Sequence, residues 1–422
     1  MKKLVAALLA ATCSVSTAQA QTAGEDMQAN QATPLFTLRD AMAAAGAMSP
    51  FNDVAEAGEQ AAQANRRIAG MRPNPTFSLE AENVLGTGNY AGTQALETTG
   101  AVSWPIELGG KRSARIAVAD AESGKAAIQS AILRADLRFA VEDAYIRAVA
   151  AESRLATAFD QSRIAAESRR AADIRVRAGR ASPLEVQRAD VERINADTAL
   201  ERAKRDVQVS RQRIGRLIGA PVPGGLDTGW FTQVPGGYGP LPEIDGAGTL
   251  ALAAAEADLL TADAGLHFAR SQRMPDLTAG IGARRLENGD SAFLFSVSVP
   301  LPIFNNGRAA VDQANALRRQ AEALQRVAAI EVRNAIAEAQ AEAANSAMSA
   351  AMATGPVLSA AKEAARIARI GYREGKFGQL DLLDAERTLA ETQGAAIDAL
   401  AAYHSARARF ERLTTPAPVQ GN

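Results

Sequence analysis

Two periods of apolar spacing alternate along this chain. From Thr37 to about Gly70 apolar residues recur at helical spacing, interrupted at Ser49-Pro50, and Thr37-Leu-Arg-Asp40 has the spacing of a capping box. Beyond Pro73-Asn74-Pro75 the period drops to two. Phe77, Leu79 and Ala81 alternate with Ser78, Glu80 and Glu82, and after a turn region at Gly86-Thr-Gly88-Asn89 the stretch Leu96 to Trp104 alternates again. Val102 and Trp104 then share one face, with Glu97, Thr99 and Ser103 on the other. The pattern predicts a β-hairpin over 76–104, with Pro105 ending its second strand. From Arg112 to Arg177 there is neither a proline nor a strong turn cluster. Ile128, Ile132, Ala135, Phe139, Ile146 and Val149 form a heptad stripe there, predicting one helix of roughly 100 Å. Pro183 suits the first turn of a returning helix, in which Leu200, Val207 and Ile214 are evenly spaced and which ends near Gly219.

The same order is then written again. After a Pro/Gly-rich connector over 220–248, a helix is predicted from Thr249 to Ser271 and a second hairpin over 276–300. In that hairpin Leu277, Ala279, Ile281 and Ala283 alternate with polar or small residues, as do Phe293, Phe295, Val297 and Val299. Arg308 to Arg373 is a second long helical stretch with Gly355-Pro356 as its expected kink, and a return helix runs from about Leu380 to Leu413 before a tail at 414–422. The turns between long and return helices, at about 178–183 and 374–379, match residue for residue: Arg177, Gly179, Arg180, Leu184, Glu185 and Ala189 stand in register with Arg373, Gly375, Lys376, Leu380, Asp381 and Ala385. Arg213, Arg216 and Leu217 continue the register with Arg409, Arg412 and Leu413. A register held this long indicates a duplicated unit, with repeats over 37–219 and 249–413. The fold class is mainly α with β: long coiled-coil helices and two β-hairpins.

Residues 1–20 have the make-up of an export signal: Lys2 and Lys3, the apolar run Leu4 to Ala11, then Ala18-Gln19-Ala20 as a small-x-small cleavage site. Residues 21–36 are a polar, flexible lead-in. The sole cysteine, Cys13, lies inside the signal, so the exported chain is expected to have no thiol; Thr12 and Leu9 fit a lipidation signal at Cys13 poorly. No other stretch approaches the ~20 apolar residues of a membrane helix, so any membrane span must be β. Four strands cannot close a barrel, and an open sheet edge is not tolerated in lipid, so membrane strands would have to be pooled between copies of the chain. A soluble periplasmic coiled-coil adaptor or scaffold, without a pore, is the competing reading of the same pattern.

Charge is balanced, 46 basic against 47 acidic residues, so no global field points to nucleic acid. No nucleophile motif, phosphate-cradling glycine loop or zinc signature appears, which argues against an enzyme and calls for no cofactor. His267 and His404 are the only histidines, and Met348 and Met352, at i, i+4 on an Ala-rich helix, suit packing better than ligation. No dedicated metal site is expected.

The duplicated order, the two turn motifs and the hairpin flanks together resemble the TolC-like outer-membrane factor family over nearly the whole chain from Leu35 to Leu413. Pro73-Asn-Pro75-Thr, Ile106-Glu-Leu-Gly-Gly-Lys-Arg112 and Arg273-Met-Pro-Asp-Leu-Thr278 are most similar to its heavy-metal cation-efflux, CzcC-like branch. The resemblance implies a homotrimer whose pooled strands form one twelve-stranded barrel in outer-membrane lipid above an α-helical periplasmic tunnel. It implies the exit duct of a tripartite efflux system, conducting substrate such as divalent heavy-metal cations from an inner-membrane pump, of the resistance-nodulation-division type among others, and a periplasmic adaptor. The adaptor-docking tip would comprise Gly179, Arg180, Leu184, Gly375, Lys376 and Leu380. Asp381 and Asp384 match paired aspartates that ring the closed pore, Tyr372 a tyrosine of the gate's hydrogen-bonding network, and Glu185 the position of an aspartate. Phe377 departs from the family, which has a basic residue there.

Overall fold

The computed structural model describes residues 35–234 and 244–418. The expected export signal, Cys13, the lead-in before Leu35 and the last four residues of the tail lie outside the described residues.

Local chemistry sets the helix ends. Helix α1 (Leu38–Met48) opens on the capping box: Thr37 Oγ1 accepts from Asp40 N–H at 3.2 Å, and the Asp40 carboxylate accepts from Thr37 N–H at 3.0 Å. Helix α2 (Pro50–Ala69) starts on a proline, whose missing N–H would be unpaired in the first turn anyway. Strands β1 (Thr76–Glu82) and β2 (Glu97–Ile106) follow, then α3 (Lys111–Arg177), 67 residues long, and its return helix α4 (Pro183–Ile218), which stops at the left-handed Gly219. The second half repeats this with α5 (Leu250–Ser271), β3 (Leu277–Arg285), β4 (Ser291–Ser298), α6 (Arg308–Met352), α7 (Leu358–Arg373) and α8 (Gln379–Leu413).

Two expectations are corrected. Pro105 does not end its strand: β2 continues to Ile106, with Pro105 opposite Thr278 of β3. β1 stops opposite Ser103, so Pro105 sits where β2 is flanked on one side only, an edge setting that tolerates a missing N–H. Nor do Gly355 and Pro356 break the long second helix. Residues Ala353–Val357 form a single π turn between α6 and α7, and the flanking Ala353 and Leu358 keep right-handed helical angles. The wider turn accommodates the proline, which would otherwise clash with the preceding turn.

The two hairpins join in one antiparallel sheet of order β1-β2-β3-β4, so β1 and β4 are its edges. The register places Phe77, Val102, Ile281 and Phe295 in one row across the sheet. That face is apolar and largely uncovered, with Phe77 and Phe293 69% and 88% exposed. The opposite face carries Arg284, paired with both Glu82 and Glu97. Among the described residues no helix is long and apolar enough to cross a membrane.

The main core lies midway along α3. Val141, Tyr145, Ile146 and Val149 pack with Ile214 and Ile218 of α4, Leu400 and Tyr403 of α8, and Leu226 and Phe231 of the connector. Of the heptad stripe, Ile128, Ile146 and Val149 are buried, while Ile132, Ala135 and Phe139 are half-buried. The fully buried Tyr145 Oη donates to Phe36 C=O at 2.7 Å and accepts from Asp227 N–H at 3.0 Å. Burial pushes its pKa up to about 12, so it stays a donor. His404 lies edge-on to Trp230 and stacked on Phe231, with Nε2 2.8 Å from Phe231 C=O, and burial holds its pKa below the ordinary imidazole value. The connector is thereby fastened to α3 and α8, and short bridges from Phe36 to Leu226 and from Thr249 to Pro416 tie in the ends of the described chain.

Candidate functional site

The candidate site is the pair of turns joining α3 to α4 and α7 to α8. Both take one backbone form for one reason. Gly179 (φ 67°) and Gly375 (φ 73°) are left-handed, a conformation that side chains with a Cβ rarely adopt. Arg180 N–H then donates to Arg175 C=O at 2.9 Å and Gly179 N–H to Val176 C=O at 2.9 Å. Likewise Lys376 N–H donates to Gly371 C=O at 2.8 Å and Gly375 N–H to Tyr372 C=O at 3.1 Å. Both sets satisfy the last carbonyls of a helix in the Schellman pattern. Arg180, Leu184, Lys376 and Leu380 are all exposed around these turns.

The return helices open differently. On α4, Ser182 Oγ accepts from Leu184 N–H at 3.3 Å. On α8 the capping position is Gly378, and the Asp381 carboxylate accepts from its N–H at 2.9 Å. Asp381 therefore has a local capping task, favoured further by the helix dipole. Asp384, three residues on, lies on the same side of α8, and both are exposed.

Between the two turns, residues from three helices converge on Glu185 of α4. Tyr372 Oη donates to Glu185 Oε2 at 3.3 Å, and Arg175 Nε of α3 lies 3.9 Å from the same oxygen. The Arg175 guanidinium also sits 4.5 Å from the Tyr372 ring centroid, a cation–π stack, and its Nη1 reaches Tyr372 C=O at 3.5 Å. Gln379, at the start of α8, donates from Nε2 to Glu185 C=O at 2.7 Å and is 5% exposed. Burial raises the Tyr372 pKa, so the phenol keeps its proton and acts as donor. Together these bonds tie the α3–α4 pair to the α7–α8 pair through one residue.

Phe377, at the position the resemblance assigns to a basic residue, turns inward. Its ring lies against the backbone of Gly371, where an added Cβ would come within 2.1 Å of the ring. Of the residues singled out from sequence, the structure brings Tyr372 and Glu185 together and leaves Asp381 and Asp384 apart from them on the exposed start of α8. Sequence reasoning missed Arg175 and Gln379. Arg175 carried one overlooked signal: in the register of the two copies it stands opposite Gly371, so the duplication placed a long cation where the other copy has no side chain. Among the described residues no group of three or more His, Cys, Asp or Glu is arranged to hold a metal ion.

The chain matches the family model described as outer membrane efflux protein over residues 53–220 and 247–415, one match per repeat. It is 32% identical over 329 residues to the cobalt-zinc-cadmium resistance protein CzcC of Cupriavidus metallidurans, covering 75% of this chain and 76% of that protein. It is 30% identical over 317 residues to the nickel-cobalt-cadmium resistance protein NccC of Alcaligenes xylosoxydans xylosoxydans, covering 73% and 68%. Among solved structures it is similar in fold to CusC, described as forming a transmembrane channel (TM-score 0.78, 18% identity, 94% and 95% covered). It is likewise similar to the outer membrane protein VceC of Vibrio cholerae (TM-score 0.73, 18% identity, 90% and 96% covered).

Proposed function

The chain belongs to the outer membrane efflux protein family, and from that premise we propose that it is the outer-membrane duct of a tripartite efflux system for divalent heavy-metal cations. Three copies pool their four-stranded sheets into one twelve-stranded barrel, and their long helices form a tunnel in the periplasm. The duct is passive: an inner-membrane pump of the resistance-nodulation-division type supplies the cargo through a periplasmic adaptor, and no catalysis occurs in this chain. The observation that carries the reading is the sheet. It has two open edges and an uncovered apolar face, a combination stable in lipid only when further strands close the ring.

At the far end of the tunnel, the turns at Gly179 and Gly375 present Arg180, Leu184, Lys376 and Leu380 to the adaptor. Tyr372 and Glu185 hold the closed arrangement, and three copies of the exposed Asp381–Asp384 pair ring the constriction. Such a ring attracts cations and repels anions, as charged rings do in other pores. Metal cargo is supported by the likeness to the CzcC and NccC resistance proteins and needs no resident site in this chain.

The test is deletion followed by exposure to a panel of divalent metals and organic toxicants, together with planar-bilayer recording of the purified protein. Raised sensitivity to the metals, and a cation-selective conductance whose selectivity falls in the Asp381→Ala, Asp384→Ala double variant, are expected. Sensitivity confined to organic compounds would overturn the cargo, unchanged selectivity the aspartate ring, and a soluble monomer without conductance the duct itself.

A further inference from the structure

Each repeat enters its hairpin through a proline-bearing segment and leaves it through a glycine-capped one. The entries are Arg72-Pro73-Asn74 before β1 and Met274-Pro275-Asp276 before β3. The exits are Leu108-Gly109-Gly110-Lys111 into α3 and Asn305-Asn306-Gly307-Arg308 into α6. Within the chain, the first exit is seated on the second entry. Asp276 Oδ1 accepts Leu108 N–H at 3.1 Å and pairs with Lys111 Nζ at 2.8 Å. Gly109 (φ 69°) passes so close to Met274 that an added Cβ would lie 2.8 Å from the methionine Cβ. Lys111 is 6% exposed in this junction.

The reciprocal junction, second exit on first entry, is not made within the chain, because β4 and β1 lie at opposite edges of the sheet. Its parts are nevertheless present and in order. Gly307 (φ 73°) opens α6 as Gly110 (φ 72°) opens α3, and each is followed by a basic residue. Asn74 occupies the place of Asp276. Among the described residues Arg308 makes no ion pair and the Asn74 side chain no hydrogen bond. The apolar residues there are bare: Leu301, Ile303 and Phe304 on the exit are 76%, 75% and 102% exposed, and Ile68 and Met71 beside the entry are both 62% exposed. At the junction already formed, Leu108 is covered to 38% exposure.

Building on the trimer reading above, we propose that the second exit of one protomer seats on the first entry of the next. The occupant of this surface is a second copy of the chain. Asn305 N–H donates to the neighbour's Asn74, Arg308 reaches the same side chain, and Leu301, Ile303 and Phe304 cover the neighbour's Ile68 and Met71. The duplicated chain thus uses one junction twice, once within a protomer and once between protomers, which is how a repeat closes into a ring.

A cysteine pair tests the placement. In the Asn74→Cys, Arg308→Cys double variant, oxidised membranes should give dimers and trimers on non-reducing gels, while each single variant remains monomeric. The Lys111→Cys, Asp276→Cys pair should close within one chain. Trimer formation is measured separately, by the native mass of the detergent-extracted protein. Trimers that form without the interchain disulfide would overturn this junction and leave the duct reading standing, whereas absence of trimers would overturn both. Asn74→Asp, which recreates the Asp276 carboxylate, should raise the temperature at which trimers dissociate in detergent, and adding Arg308→Ala should abolish the gain. A gain that persists without Arg308 counts against the contact.

Discussion

Replacing Tyr372 with Phe removes a single hydroxyl from the tip and leaves its surroundings nearly unchanged. The ring keeps its stack with Arg175, and only the 3.3 Å bond to Glu185 is lost. Hydrogen bonds to charged groups contribute roughly 1.5–3 kcal/mol net, and the length of this one puts it near the lower end, at about 1–1.5 kcal/mol. If the three protomers of the proposed duct unlatch together, the closed arrangement loses about 3–4.5 kcal/mol, which is roughly a 10²- to 10³-fold shift toward the open one. The phenol is protonated throughout the neutral range because burial raises its pKa, so the effect should not vary between pH 6 and 8. The assay is the fraction of time the purified protein conducts at fixed voltage in planar bilayers. An open fraction within a few-fold of the parent would refute the latch, the more so if Glu185→Gln behaved the same way.

Two other perturbations follow from the packing. Gly371→Ala should destabilise the tip by about 1–3 kcal/mol although alanine favours helices, because its Cβ would enter the Phe377 ring; added Phe377→Ala should recover the loss, and hydrogen exchange over 371–379 reads both. The Glu142 pKa is raised, first by burial and then by Glu411. The folded state therefore holds the proton more tightly than the unfolded one, and the penalty on stability is absent below the ordinary value of 4.5 and complete above the raised one. Glu142→Gln should accordingly raise the melting temperature at pH 7, and an equal gain at pH 4 would contradict the linkage.

Much of the fold could be read from sequence because its helix boundaries are set locally. Thr37, Pro50, Pro183 and Gly219 act on their own turns, and no distant contact is needed to place them. The pairing of β2 with β3 was not legible: alternation identifies a strand and a short turn identifies its hairpin partner, but nothing in Val102 or Ile281 names the other across 179 residues. At the tip, register drew attention to Glu185 and Tyr372. Arg175 escaped notice because α3 carries many arginines at helical spacing, and only the fold shows which one lies over an aromatic ring. Gln379 looked like a solvated first-turn residue, yet it is buried against the Glu185 carbonyl. Phe377 was conspicuous as a departure, but its partner, Gly371, is marked in sequence only by the absence of a side chain.

The π turn at Ala353–Val357 has a consequence for how the chain keeps count. Above it, the buried positions of α6 are Ile336, Ala339 and Ala350; below it, those of α7 include Ala361, Ala365, Ala368 and Tyr372. Laid on one seven-residue grid, the lower set falls one place later than the upper. In an unbroken α-helix a slip of one place would swing the buried stripe about 100° around the axis. The π turn takes in one additional residue, so the stripe stays in line and the Tyr372 phenol arrives facing Glu185. The extra residue is silent in the geometry because the turn absorbs it, and the two ends of the rod can be aimed independently by where that residue is spent.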